Sequence, residues 1–234
     1  MNASTEKVWT GPLDVAEWPE KLTARVITPG PRPRLHGYDV EADLARHYSF
    51  TETVLLALTG DLPTAEEARA FDVALQFVAP ASAQEAPTHA TILARVCMAS
   101  TSQMQGVAAI ALAEQARVVV TEHRRWIEML DGPLAETPSE LCAKTEGERE
   151  SVDRLRLALR GTVEVPALSR DLGRTAAILA TLHACGLKSA ESIECALVIA
   201  RLPVAMAEAL ATPPGSHREY PVQLPGITYT EEPS

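Results

Sequence analysis

The chain is predicted to be all-α, and three observations carry that prediction. From Val40 to Leu210, apolar residues recur at three- and four-residue spacing, as in helices with one buried face. Alternating apolar and polar runs, which mark half-buried strands, are nearly absent. The composition is 46% apolar but only 4% aromatic, and its Ala/Leu bias suits closely packed helices.

Residues 1–34 are rich in turn formers (Gly11-Pro12, Pro19, Pro29-Gly30-Pro31-Arg32-Pro33) and contain Trp9 and Trp18. They read as an extended N-terminal arm with a strand at Leu22–Thr28. A Gly37-Tyr38-Asp39 turn follows, and Asp39 is an N-cap for Val40–Arg46. Ser49 or Thr51 caps the next helix, whose stripe Val54, Leu55 and Leu58 stops at Gly60. Thr64 and Glu67 form a capping box ahead of Ala68, Phe71, Leu75 and Val78, and Pro80 closes that helix.

Thr88–Ala99 and Gln105–Leu130 are expected as two further helices, the second unbroken. Between Asp131 and Glu150 the chain turns polar, with Gly132-Pro133, Pro138 and a charged run from Lys144. That stretch is the expected lobe junction or mobile loop. Ser151–Arg160 is helical and Gly161–Leu168 is a linker. Arg170–Cys185 and Ala190–Leu210 are core helices, separated by Gly186 at a C-cap position. The tail from Thr212 carries five prolines and reads as a second irregular arm.

Acidic residues outnumber basic ones 31 to 21, for a net charge of −10. That balance argues against nucleic acid or an anionic membrane surface as the main partner. Cys97, Cys142, Cys185 and Cys195 lack the spacing of a metal knuckle or disulfide framework; Cys185 and Cys195 read as buried thiols. No run approaches the length of a membrane span and no signal pattern opens the chain, so the expected location is cytoplasmic. Nucleotide-binding, P-loop, nucleophile-elbow and zincin motifs are all missing. His183, in an apolar helix, reads as a core histidine, and His89 as either structural or cleft-facing.

Several segments, in order, resemble the citrate synthase family, which includes 2-methylcitrate synthases and citryl-CoA lyases. His36-Gly37-Tyr38-Asp39 is similar to the family's RGYD-type turn, and SFTETVLLALTGDLP (49–63) to its sF-x-E…LL-x-G-x-LP segment. PTHATILARVCMAS (87–100) resembles the following helix, and Ile199-Ala200-Arg201-Leu202-Pro203 the start of the last long one. The similarity spans most of residues 9–210. It implies a helical large domain from 35–130 and 186–210 and a reduced small domain at 131–185. Arms at 1–34 and 211–234 complete the chain. It also implies a dimer whose interface is built from helices in the 87–130 region.

Family members make or break a carbon–carbon bond between an acyl-CoA and a 2-oxo acid such as oxaloacetate. The reaction needs a base at the thioester α-carbon, donors for the enolate and carbonyl, and cations for carboxylates. The first catalytic histidine loop should fall near Ala113–Val120, but AEQARVVV has neither glycine pair nor histidine and reads as continuous helix. His123, in Glu122-His123-Arg124-Arg125, is either a displaced catalytic group or part of a solvated face. The second histidine loop, expected between about 131 and 165, is missing, together with a segment tied to CoA binding.

The family's aspartate falls on Thr175 by one count and on Asp171 by another; Asp171 otherwise reads as an N-cap. Arg201 matches the arginine that reaches substrate carboxylates, with a structural salt bridge as the competing role. Arg218, in Ser216-His217-Arg218-Glu219-Tyr220, is similar to one supplied across the dimer. Val204 stands where the family has glycine and Glu208 stands near a common histidine.

The sequence therefore points to a family body without its catalytic histidine loops. The expected function is a non-catalytic structural or regulatory subunit, and a candidate binder of a di- or tricarboxylate. It would act as a homodimer or beside a full-length relative. The alternative is an active minimal condensing enzyme or lyase with a CoA thioester as substrate and His123 or Asp171 as base. No cofactor or metal is implied by either reading.

Overall fold

A computed structural model of the chain describes residues 23–132 and 137–215, which group into two units meeting at Tyr48 and Ser49. The first unit is built on three two-residue strands: β1 (Ile27–Thr28), β2 (Arg34–Leu35) and β3 (Tyr38–Asp39), paired antiparallel in that order. The β1 strand occupies only the end of the predicted Leu22–Thr28 stretch. Between β2 and β3 lies a two-residue turn in which His36 (φ 46°) and Gly37 (φ 89°) are both left-handed, as a type I′ hairpin demands. Asp39 then caps a π-helical turn, Val40–Leu44, accepting from the N–H groups of Ala42 (2.8 Å) and Glu41 (3.1 Å). That turn runs into a short helix α1 (Ala45–His47).

The second unit begins with α2 (Phe50–Thr59) and α3 (Ala65–Val78). Ser49 and Thr64 head reciprocal capping boxes with Glu52 and Glu67, so these two starts need no tertiary help. Gly60 ends α2 at φ 86°. Then come α4 (Ala86–Val96), α5 (Thr101–Glu122), α6 (Arg124–Met129), α7 (Glu146–Ala158), α8 (Arg174–Ala184) and α9 (Ala190–Ala211).

Two apolar clusters hold these helices together. In the smaller, α4, α5 and α9 meet through Ile92, Val96, Met104, Ala108, Met206 and Ala209. In the larger, α8 lies against α3, α6, α7 and α9, with Phe71, Trp126, Leu155, Leu172, Leu179 and Leu187 buried. Every residue of α8 from Ala176 to His183 is buried, the mark of a helix that is apolar all round. Its start must also come close to neighbouring backbone: a Cβ on Gly173 would sit 3.3 Å from the Leu141 carbonyl, which accepts from the Gly173 N–H. No helix among the described residues is long and apolar enough to cross a membrane.

Four sequence expectations change. The helix expected over Gln105–Leu130 is broken at His123, the boundary of both α5 and α6. A helix start, not a loop, takes the charged run, with Thr145 capping α7 through Glu148 N–H. Asp171 is no N-cap, because α8 opens two residues later on Gly173. Cys195 is exposed, although Cys185 is buried and its thiol is pushed up to about 12 by desolvation and, secondarily, Glu67.

Candidate functional site

A concave site lies in the second unit, where the end of α3, α5, the first turns of α8, and α9 surround a cavity of about 260 Å³. Leu197 and Arg201 lie four apart on α9, so they share one face of that helix and both reach this cavity. On α5, Leu112, Gln115, Ala116 and Val119 present the opposite wall, again at three- and four-residue spacing. Through Ala113–Val120 the α5 helix is continuous, so the wall is regular helix and not a loop.

The Arg201 side chain is 15% exposed, and both terminal nitrogens of its guanidinium are hydrogen-bonded. One terminal nitrogen donates to Glu85, the residue that precedes α4, and the other donates to the Gln115 side-chain oxygen. Gln115 turns its amide nitrogen to the same Glu85 oxygen (3.0 Å), closing a three-residue ring. The second Glu85 oxygen accepts from the Ser82 N–H (3.0 Å). The buried Arg201 Nε has no acceptor among the described residues. The ring joins the loop before α4, the middle of α5 and the middle of α9.

Burial raises the Glu85 carboxyl, but the hydrogen bonds from Arg201, Ser82 and Gln115 outweigh it and hold the group below its ordinary value of 4.5. A depressed acid stabilises the fold only while ionised. Its contribution is fully present above pH 4.5 and is lost as pH falls through the lower folded-state value. Glu85→Gln is thus expected to flatten the acid limb of a urea-midpoint profile taken from pH 6 to pH 3, compared with the unmodified chain.

Arg174 and Thr175 open α8 and line the same cavity. Arg174 is exposed, donates to the Phe77 carbonyl (2.5 Å) and has no carboxylate partner among the described residues. Thr175 stands where one sequence count put the family's aspartate, and a threonine cannot serve as a carboxylate base. No histidine is among the described residues lining this cavity.

Both α8 residues also line a second cavity, about 320 Å³, with His123, Cys142, Lys144 and Glu148. His123 falls four residues after Val119 and eight after Gln115, so one face of α5 leads from the Arg201 ring toward it. It is half-buried at the helix break, and its Nδ1 lies 2.8 Å from the Val119 carbonyl. A carbonyl can only accept, so Nδ1 carries the proton and Nε2 offers a free lone pair in the neutral ring.

The other candidates lie elsewhere. Asp171 faces Arg149 (3.8 Å) in a separate groove. Arg218 lies outside the described residues. His89 is exposed on α4 and does not line the Arg201 cavity. His183 is buried: its Nε2–H donates to Asp131 (3.0 Å) and its Nδ1 accepts from Lys188 (3.1 Å). Burial first, then the Lys188 charge, lower its pKa and keep it neutral.

Three residues of the site escaped the sequence reading: Glu85, Gln115 and Arg174. Only Arg174 left a signal there, as a cation placed against the dipole at a helix start.

The sequence matches no protein-family model and no curated protein. Among solved structures, the fold matches that of citryl-CoA lyase from Hydrogenobacter thermophilus, with a TM-score of 0.62 at 18% identity. The match covers 91% of this chain and 97% of that one. The all-α, citrate synthase-like fold is thereby established, and the short body is shared with that structure almost end to end.

Proposed function

We propose that this chain is a non-catalytic protein on the citrate synthase-type scaffold, acting as a structural or regulatory subunit. One observation carries the reading. Arg201, the residue matched to the family's carboxylate arginine, is already bound to an internal carboxylate, Glu85, in a cavity lined by no described histidine. A substrate carboxylate would compete with Glu85 and Gln115 for its terminal nitrogens. Incubation with oxaloacetate plus acetyl-CoA, and separately with citryl-CoA, is expected to release no thiol above the buffer rate. Thiol release that disappears in His123→Ala would overturn the reading.

A second reading, an active minimal lyase or condensing enzyme, draws on the free Nε2 of His123. That nitrogen could take a proton from a thioester α-carbon, with Arg174 close by to hold an anionic group. The same thiol assay separates the two readings.

The proposal includes self-association. Val107, Ile110 and Val118 expose 37%, 71% and 47% of their surface on the outer face of α5, and Met98, just before that helix, exposes 74%. This apolar face falls in the region that the family resemblance assigns to the dimer interface, and a second copy would cover it. Light scattering during gel filtration is expected to give twice the monomer mass, and Ile110→Glu is expected to return the monomer. A monomer for the unmodified chain would reject a homodimer.

A further inference from the structure

The cavity beside Arg201 is chemically unlike a pocket for a small dicarboxylate. Two of its charged groups cancel, because the Arg201 guanidinium and the Glu85 carboxylate are bonded to each other. Among the described residues lining it, one cation remains, Arg174, whose bonded partner is the neutral Phe77 carbonyl. It stands at the first position of α8, where Gly173 offers no side chain to cap the free N–H groups. Cation and helix start together make one end of the cavity positive. The other walls are apolar, including Phe77, Leu112, Val119, Ile178 and Leu197.

Size narrows the ligand further. A cavity of about 150 Å³ accepts benzene, so about 260 Å³ suits a body of roughly ten non-hydrogen atoms. We propose that this cavity binds an amphipathic monoanion: a carboxylate with an aliphatic or aryl tail of that size. Its head lies on Arg174 and the first turn of α8, and its tail lies between α5, α8 and α9. A dicarboxylate would set its second charge against the apolar wall, or break the Glu85–Arg201 pair. The inference stands whether or not the chain turns over a thioester, because binding is read without turnover.

Calorimetry and thermal unfolding on the full chain test it with octanoate, 1-octanol and citrate as probes. Octanoate is expected to bind and raise the melting temperature, with citrate at least about tenfold weaker. Arg174→Gln is expected to weaken octanoate by about tenfold while leaving the alcohol unchanged. Ala116→Leu, which fills the cavity without touching a charge, is expected to weaken both tailed probes. In Glu85→Gln, which leaves the Arg201 charge uncompensated, citrate is expected to gain on octanoate. Citrate binding as tightly as octanoate to the unmodified chain would overturn the proposal. So would octanoate affinity indifferent to both Arg174→Gln and Ala116→Leu, or no octanoate binding at low-millimolar concentration.

Discussion

Trp126→Ala is expected to destabilise the second unit by about 3–5 kcal/mol, the range for removing a large buried aromatic side chain. Trp126 is 2% exposed and is the largest fully buried side chain of the core. It sits on α6, a helix of six residues too short to persist by itself, so tertiary packing must hold that segment in place. The indole also donates to the Ala176 carbonyl (3.0 Å), pinning α6 to the start of α8. Trp126→Phe separates the two contributions. Ala176 lies inside α8, so its carbonyl keeps a place in the helix ladder when the indole N–H is lost. The phenylalanine variant should therefore cost about 1 kcal/mol for the hydrogen bond, plus a small packing loss. Urea unfolding followed by far-UV circular dichroism measures both variants. A loss below about 1 kcal/mol for the alanine variant would mean that α6 is not held by this contact. Domains of this kind hold about 5–15 kcal/mol in total, so the alanine variant should also loosen the helix break that positions His123.

What could be read ahead of the structure follows from the range of each interaction. Capping boxes at Ser49 and Thr64 and the left-handed Gly60 and Gly186 are local, so their helix ends are visible in four or five residues of sequence. The break at His123 also had a local cause: Val118-Val119-Val120-Thr121 is a β-branched run with weak helix propensity, ahead of a charged cluster. Helical periodicity alone overrode it. Cys195 was misplaced because an apolar residue in an apolar helix reads as core, whereas Ile193, Ala196 and Leu197 take the inner face and leave Cys195 outside. Of the Glu85–Gln115–Arg201 ring, only Arg201 was legible, through the resemblance. Its partners lie 116 and 86 residues away in sequence, and nothing local in Glu85 or Gln115 announces a guanidinium. Asp171 misled for the opposite reason. A lone acid before an apolar helix is the usual cap signature, but the close approach to the Leu141 carbonyl gives the capping position to Gly173.

Arg201→Ala is expected to cost about 3 kcal/mol, the lower end of the range for breaking a buried ion pair, because Glu85 keeps about a third of its side chain exposed. The loss comes from what stays behind: a carboxylate held in an apolar cavity by Gln115 and the Ser82 N–H alone. Glu85→Ala should cost a comparable amount, since it strands the guanidinium. The double variant should then lose much less than the sum of the two, giving a coupling of about 1–3 kcal/mol. That coupling distinguishes the two roles assigned to Arg201. A guanidinium reserved for substrate gains nothing in the empty protein from Glu85, so the single losses would be small and would add. A guanidinium that closes a structural ring couples strongly with no ligand present. Equilibrium urea unfolding of the four proteins at pH 7 measures the cycle. Additive losses would return Arg201 to the carboxylate-binding role and weaken the case for a non-catalytic subunit. Strong coupling would mean that Glu85 stands where a substrate carboxylate would bind Arg201.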